Sequence, residues 1–305
     1  MNDSKVKSGI IIGIVAYLIW GFLPIYWKLL DNVPSGAVLA HRIIWSFVFM
    51  ILYILMTKQS SLFIQQCKEI FLNKKVLLTI TAASFVISLN WLTFIWAVQH
   101  DFVVQTSLGY YINPLISVVL GMFFFKEKLS KAQVFSVVLA GIGVAYLTID
   151  YGTFPWVSFA LAITFATYGL FKKIANVSAV FSLAIETLLV TPIALIYLLY
   201  TFGIGIGFGH ATLSKDIFLL FSGVATAIPL LLFGMAVISI PLSMSGFLQY
   251  IAPTLMLFIG VFLYGEAFTT AHIITFSFIW VSLFIYMTSS IRIQKRKGSL
   301  IKSRS

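Results

Sequence analysis

Two charged side chains, Arg42 and Glu186, stand inside long apolar runs of the 305-residue sequence. An ionised group at hydrocarbon depth costs about 2.5–3.5 kcal/mol on insertion scales, so it normally faces a cavity or a partner. The planar guanidinium of Arg42 suits bidentate capture of a carboxylate or phosphate. Glu186 would then hold the amine of a zwitterion or take up a coupling proton. A second reading is structural: the two charges pair with each other, or satisfy backbone groups, as a lock. His41 titrates near neutral pH, but adjacent helix positions point about 100° apart, so it cannot share the cavity squarely with Arg42 and reads better as packed.

Polar and aromatic groups cluster in other apolar runs. Asn90 and Trp91 form one set; Tyr110, Tyr111 and Asn113 form another, with Tyr110, Asn113 and Ser117 on one helix face. That face either lines a cavity or glues neighbouring helices, at about 0.6 kcal/mol per contact. Gln249 and Tyr250 occupy the matching place further on, so Tyr110 and Gln249 are expected to face a common centre from opposite sides. Trp20, with Tyr17 and Tyr168, is a weaker candidate for recognition, because aromatics at helical spacing usually pack. Pro114 and Pro253 each remove a helical hydrogen bond, which makes either a hinge or a static kink.

These residues recur with a fixed offset. Tyr111, Ile112, Pro114, Gly121 and Glu127 return as Tyr250, Ile251, Pro253, Gly260 and Glu266, 139 residues later in every case. A repeated apolar unit of this kind marks a body built from duplicated halves.

With 60% apolar and 10% charged residues and a mean hydropathy of +1.04, the chain reads as an all-α integral membrane protein. Ten segments approach the length needed to cross a bilayer: 9–28, 35–56, 75–98, 103–125, 131–149, 155–173, 180–201, 216–239, 243–264 and 269–290. The first run reads as an uncleaved helix, since it ends in Trp20, Pro24 and Trp27 without a small-residue cleavage site. Residues 57–74 are basic, with an interfacial helix expected around Phe63–Phe71, and the stretch Gly203, Gly205, Gly207, Gly209 reads as flexible loop. Basic residues favour the cytoplasmic side. Placing both termini there puts seventeen of the twenty Lys and Arg inside, Lys172 and Lys173 among them, and only Lys28 and Lys215 outside. The net charge of +11 therefore has a topological cause, which argues against nucleic-acid binding.

Five spans separate each residue of the first copy from its mate. Five is odd, so the halves, 1–150 and 151–290, are expected to be inverted, with 291–305 a basic cytoplasmic tail. Glu127 and Glu266 stand just before spans five and ten and read as caps of those helices, with a gating role the alternative.

The Pro inside spans four and nine and the closing Lys126-Glu127 and Gly265-Glu266 pairs resemble the EamA domains of the drug/metabolite transporter superfamily. The strings Ala40-His41-Arg42-Ile43-Ile44-Trp45-Ser46, Asn90 to Val98 and Ser107-Leu108-Gly109-Tyr110-Tyr111-Ile112-Asn113-Pro114-Leu115 resemble its bacterial RarD subgroup, named for a link to chloramphenicol sensitivity. The resemblance implies a ten-helix carrier of the bacterial plasma membrane with a central cavity, working by alternating access and exporting small metabolites such as amino acids or amphipathic drugs. It leaves substrate, coupling ion and oligomeric state open, with proton coupling through Glu186 and His41 one option. No phosphate loop of the GxxxxGK[ST] type is present for ATP use, and no HExxH or GxSxG motif indicates a metal or nucleophilic enzyme. No catalytic residue, cofactor or metal site is expected. The single Cys67 has no disulfide partner within the chain. A channel or a structural partner protein is the rival reading, and an intramembrane enzyme a more remote one.

Overall fold

The computed structural model describes residues 3–30, 33–99, 103–150, 152, 155–209, 212–263 and 269–302. In chain order the helices are α1 (Asp3–Lys28), α2 (Ser35–Met56), α3 (Ser60–Leu72), α4 (Lys74–Gln99), α5 (Val103–Phe125), α6 (Lys131–Asp150), α7 (Trp156–Ala175), α8 (Ala179–Phe202), α9 (Leu213–Ser239), α10 (Leu242–Leu248), α11 (Ile251–Phe258) and α12 (Thr270–Lys302). No strand occurs among the described residues. Ten spans are long and apolar enough to cross a bilayer, with α10, α11 and a π-turn at Ile259–Leu263 forming the ninth. Helices are what such a sequence must form, because hydrocarbon offers no partner to an unpaired backbone N–H or C=O.

The expected spans recur with small boundary shifts. The expected interfacial helix is α3, which buries Ile70 against Ile80 and Ile185 and exposes Leu62, Ile64, Phe71 and Leu72. Span nine is broken near Pro253, one of the two prolines expected to interrupt a helix. Pro253 offers no N–H to the carbonyl of Gln249, which instead accepts from Ala252 at 3.1 Å. The chain therefore turns at Gln249–Tyr250. The basic tail is helical through Lys302, since its charges shorten the apolar span without breaking helical backbone. The glycine stretch turns tightly: Gly203, Gly207 and Gly209 adopt positive φ, and the 3₁₀ turn Gly203–Gly205 is held to α2 by His41.

Helix pairing follows one rule. Exchanging α1 with α7, α2 with α8, α4 with α9, α5 with α10–α11, and α6 with α12 turns the pair α5/α7 into α11/α1. It also turns α4/α7 into α9/α1 and α2/α9 into α8/α4, all of which are packed. The pairs α2/α8, α6/α12 and α5/α10 map onto themselves and are packed as well. On the line between α5 and span nine, the Tyr250 hydroxyl donates to the Tyr111 carbonyl at 3.3 Å, joining residues that occupy the same place in the repeated motif.

Small residues set the closest approaches. A Cβ on Gly246 would lie 2.8 Å from Ser117 Cβ and 3.0 Å from the Pro114 carbonyl oxygen. A Cβ on Gly223 would lie 2.1 Å from the Trp45 carbonyl carbon and 2.4 Å from the Ser46 nitrogen, so α2 and α9 meet backbone to backbone. The Ser46 hydroxyl seals that contact by donating to the Gly223 carbonyl at 3.0 Å. Gly223→Val should therefore push these helices apart and destabilise the fold by about 3 kcal/mol or more. Gly141→Ala, where a Cβ meets nothing within 4 Å, should change stability by less than about 1 kcal/mol. Thermal unfolding of both variants in detergent checks the contrast.

Candidate functional site

A cavity of about 730 Å³ occupies the middle of the bundle. Its floor at mid-depth is made by Tyr17, Tyr111, Phe165, Leu230 and Gln249. From there the lining runs along α1, α4, α5 and α11 to Lys28 and His272, at the face opposite the chain termini. Both halves of the chain contribute.

Of the residues singled out from the sequence, Arg42, Asn90, Trp91, Tyr110, Tyr111, Gln249 and Trp20 line this cavity, as does Pro253. Arg42 Nε donates to Thr226 Oγ1 at 3.0 Å, and the guanidinium carbon lies 4.4 Å from the Trp27 ring centre and 5.1 Å from that of Trp91. Such cation–π contacts offset part of the lost hydration. Thr226 is aimed by its own hydrogen bond to the Ser222 carbonyl at 2.7 Å. Tyr110 lies within electrostatic reach of Arg42 and beside Phe94. Asn90 spends its amide hydrogens on the Leu161 carbonyl at 2.9 Å and Thr164 Oγ1 at 2.8 Å, so it both touches the cavity and ties α4 to α7. The Gln249 side chain makes no hydrogen bond among the described residues.

Three candidates lie apart from the cavity. Asn113 donates to the Ala162 carbonyl at 2.7 Å and accepts from Ser117 at 3.4 Å, which is interhelical glue between α5 and α7. Tyr250 is fully buried on the Tyr111 carbonyl. Glu186, on α8, belongs to a separate buried cluster. One of its oxygens accepts from Lys172 Nζ at 2.8 Å and Ser182 Oγ at 2.6 Å, the other from the Tyr168 hydroxyl at 2.9 Å. Lys172 is thus no cytoplasmic surface lysine: it is only 2% exposed, in the last turn of α7, held there by the carboxylate. Arg42 and Glu186 do not pair. The pairing was hidden because Lys172 and Glu186 lie on neighbouring helices whose angle the sequence does not state. A space of about 10 Å³ beside Glu186, Tyr168 and Ser84 is no larger than a single water.

His41 is also packed. Trp45 Nε1–H donates to His41 Nδ1 at 3.2 Å, which leaves Nε2 protonated to donate to the Ile206 carbonyl at 3.0 Å. Pro114 sits within an unbroken α5 and outside the cavity lining. Sequence reasoning missed Trp27 and Thr226 as site residues. Trp27 carried a signal, since Trp20, Pro24 and Trp27 share one helix face; Thr226 carried none.

Towards the termini the cavity is closed by a latch. Glu127 accepts from the backbone N–H groups of Leu242 at 2.7 Å and Ser243 at 3.1 Å, and from Ser243 Oγ at 2.6 Å. It caps span nine rather than span five, the helix expected from the sequence. Lys173 stands 3.8 Å from the same carboxylate and donates to the Ile240 carbonyl. The motif glycine now has a reason: a Cβ on Gly121 would lie 2.7 Å from Glu127 Oε2, so only glycine lets the carboxylate fold back. Above the latch, Tyr286 donates to Ser243 Oγ at 2.9 Å and stacks on Phe247 at 3.8 Å, and Tyr17 bonds the Ser245 carbonyl at 3.2 Å. The repeat mate of Glu127, Glu266, lies outside the described residues, as do His100, Asp101 and His210.

A ten-span helical protein with one cavity at the junction of its halves has the architecture of a membrane transporter, and the relatives agree. The EamA-like transporter family model matches residues 7–149. The chain is 41% identical to the uncharacterized transporter YojE of Bacillus subtilis over 98% of this chain and 100% of that one. It is 38% identical to protein RarD of Salmonella typhimurium, over 97% and 100%. One solved crystal structure superposes with a TM-score of 0.70 at 17% identity, covering 92% of this chain and 97% of that one, a likeness of fold. The chain belongs to the EamA-like transporter family, among its RarD-type members, and is a multi-pass membrane protein with bacterial relatives.

The Lys172–Glu186 pair yields a stability prediction. Glu186→Leu or Lys172→Met alone leaves one buried charge uncompensated and should cost about 3–5 kcal/mol, whereas the double variant should recover most of that loss. Chemical or thermal unfolding of the purified single and double variants measures it; additive losses would contradict the pairing.

Proposed function

We propose that the protein is a secondary transporter that exports a small organic solute, of the metabolite or amphipathic-drug class, by alternating access through the central cavity. The observation that carries this reading is the asymmetry of the cavity: its lining reaches one face, while the Glu127 latch closes the other. The packing pairs that exchange between residues 1–150 and 151–290 support two inverted repeats, so the latch and the mouth are equivalent regions in opposite states. The excess of Lys and Arg near the termini supports a cytoplasmic location for both ends, which makes this conformation outward-facing. Pro253, at the break of span nine beside the cavity, and Pro114, against which Gly246 packs, are the proposed hinges.

A channel would need a path through both faces, and the latch side offers none in this state. His41 and Glu186, the groups on which proton coupling would rest, are both held by neighbours outside the cavity lining. That favours exchange or facilitated transport over proton coupling. Reconstituted in liposomes and screened with small carboxylic acids, amino acids and chloramphenicol, the protein should give saturable flux of at least one of them, rising when the same solute is loaded on the opposite side. Flux linear in concentration and indifferent to trans loading would mark a channel and contradict the carrier reading.

A further inference from the structure

Resting on the carrier reading, we propose that the cavity selects monoanionic organic acids with a planar aromatic body, over zwitterions, amines and neutral analogues of the same shape. The first argument is charge. The guanidinium of Arg42 lines the cavity, and no Asp or Glu among the described residues does. An ammonium group entering it would find no carboxylate among the described lining residues, because Glu186 is outside the lining and both its oxygens are engaged by Lys172, Ser182 and Tyr168.

The second argument is the state of Arg42. Among the described residues it has no ion-pair partner, and Nε–H is its one hydrogen-bond donor in use, on Thr226. The four N–H bonds of the two terminal nitrogens therefore remain for a ligand, in the paired geometry that matches one carboxylate. The ring faces of Trp27 and Trp91 already lie against the guanidinium, so they are committed to a cation the protein itself supplies. A ligand ammonium would compete with Arg42 for those rings while being repelled by it.

The third argument is shape. Trp20, Phe94, Tyr110 and Phe165 supply flat apolar wall around the charge, with Trp20 and Phe165 edge to face at 5.6 Å. The Gln249 amide, which makes no side-chain hydrogen bond among the described residues, lines the floor and can bond a second polar group of the ligand. A volume of about 730 Å³ accommodates one or two fused rings with a short acidic chain.

The test is a matched panel on one skeleton at neutral pH: 3-phenylpropionate, phenylalanine, phenethylamine and 3-phenylpropan-1-ol. Binding to the purified full-length protein is read by quenching of tryptophan emission, since Trp20, Trp27 and Trp91 line the cavity. The acid should bind at least about tenfold more tightly than the other three. Arg42→Gln should weaken the acid by about tenfold or more, while Arg42→Lys, which keeps the charge but loses the fork, should weaken it less. Thr226→Val, which removes the acceptor at Nε without changing charge, guards against misreading a folding defect and should weaken the acid a few-fold at unchanged gel-filtration profile. Equal binding of phenylalanine or the alcohol, unchanged acid binding in Arg42→Gln, or binding of no panel member would each overturn the proposal. Counterflow in liposomes separates it from the carrier reading. Arg42-dependent acid binding without flux of any panel member would keep the anion site and contradict the carrier. Saturable counterflow of phenylalanine without acid binding would keep the carrier and overturn the anion site.

Discussion

A guanidinium at hydrocarbon depth, with no carboxylate beside it among the described residues, is the constraint around which the rest of the structure is arranged. An isolated charge there costs about 2.5–3.5 kcal/mol on insertion scales, and access of water or a ligand to Arg42 offsets that cost. The bundle meets this by leaving a cavity lined by α1, α4, α5 and α11 that reaches the guanidinium, and by covering the cation with Trp27 and Trp91. The cavity is thus a consequence of the charge as much as a container for solute.

Two other charged clusters are handled in the opposite way. Glu186 and Lys172 neutralise each other, and Tyr168 and Ser182 complete their hydrogen bonds, so no cavity larger than a water is needed beside them. Glu127 is neutralised by backbone N–H groups at the start of α10 and by Lys173. Hydrogen bonds to a charged group contribute about 1.5–3 kcal/mol each, enough to hold one face shut yet within range of what ligand binding can redistribute. The glycine contacts at Gly121 and Gly246 place the latch and the α5/α10 crossing close together, so moving one requires moving the other.

Much of this was legible in the sequence for physical reasons. Hydrocarbon permits few backbone solutions, so the apolar runs located the spans, and the repeat placed Tyr110 and Gln249 at a common centre, where both line the cavity; that the repeat mates Tyr111 and Tyr250 bond each other was not expected. Rotation of each helix was less legible. Tyr110 and Asn113 have suitable spacing for one face, but Tyr110 reaches the cavity and Asn113 donates to the Ala162 carbonyl of α7. Partners across helices were hidden altogether: Lys172 looked like a loop charge until its helix was placed beside α8, and Glu127 capped a helix more than a hundred residues away rather than the next one. The break in span nine followed from Pro253, yet Pro114 left α5 unbroken, so a proline by itself did not decide the matter.

The central claim is that one cavity opens to one face at a time and that Glu127 holds the termini side shut. Its most direct test is thiol accessibility of Ala252→Cys, a cavity-lining position, in a Cys67→Ser background, using a membrane-impermeant reagent applied separately to each side of oriented vesicles. With Glu127 intact, labelling should come from the face opposite the termini alone. Glu127→Gln should add labelling from the termini face and reduce it from the other. Labelling from both faces with Glu127 intact, or no change in Glu127→Gln, would contradict the account.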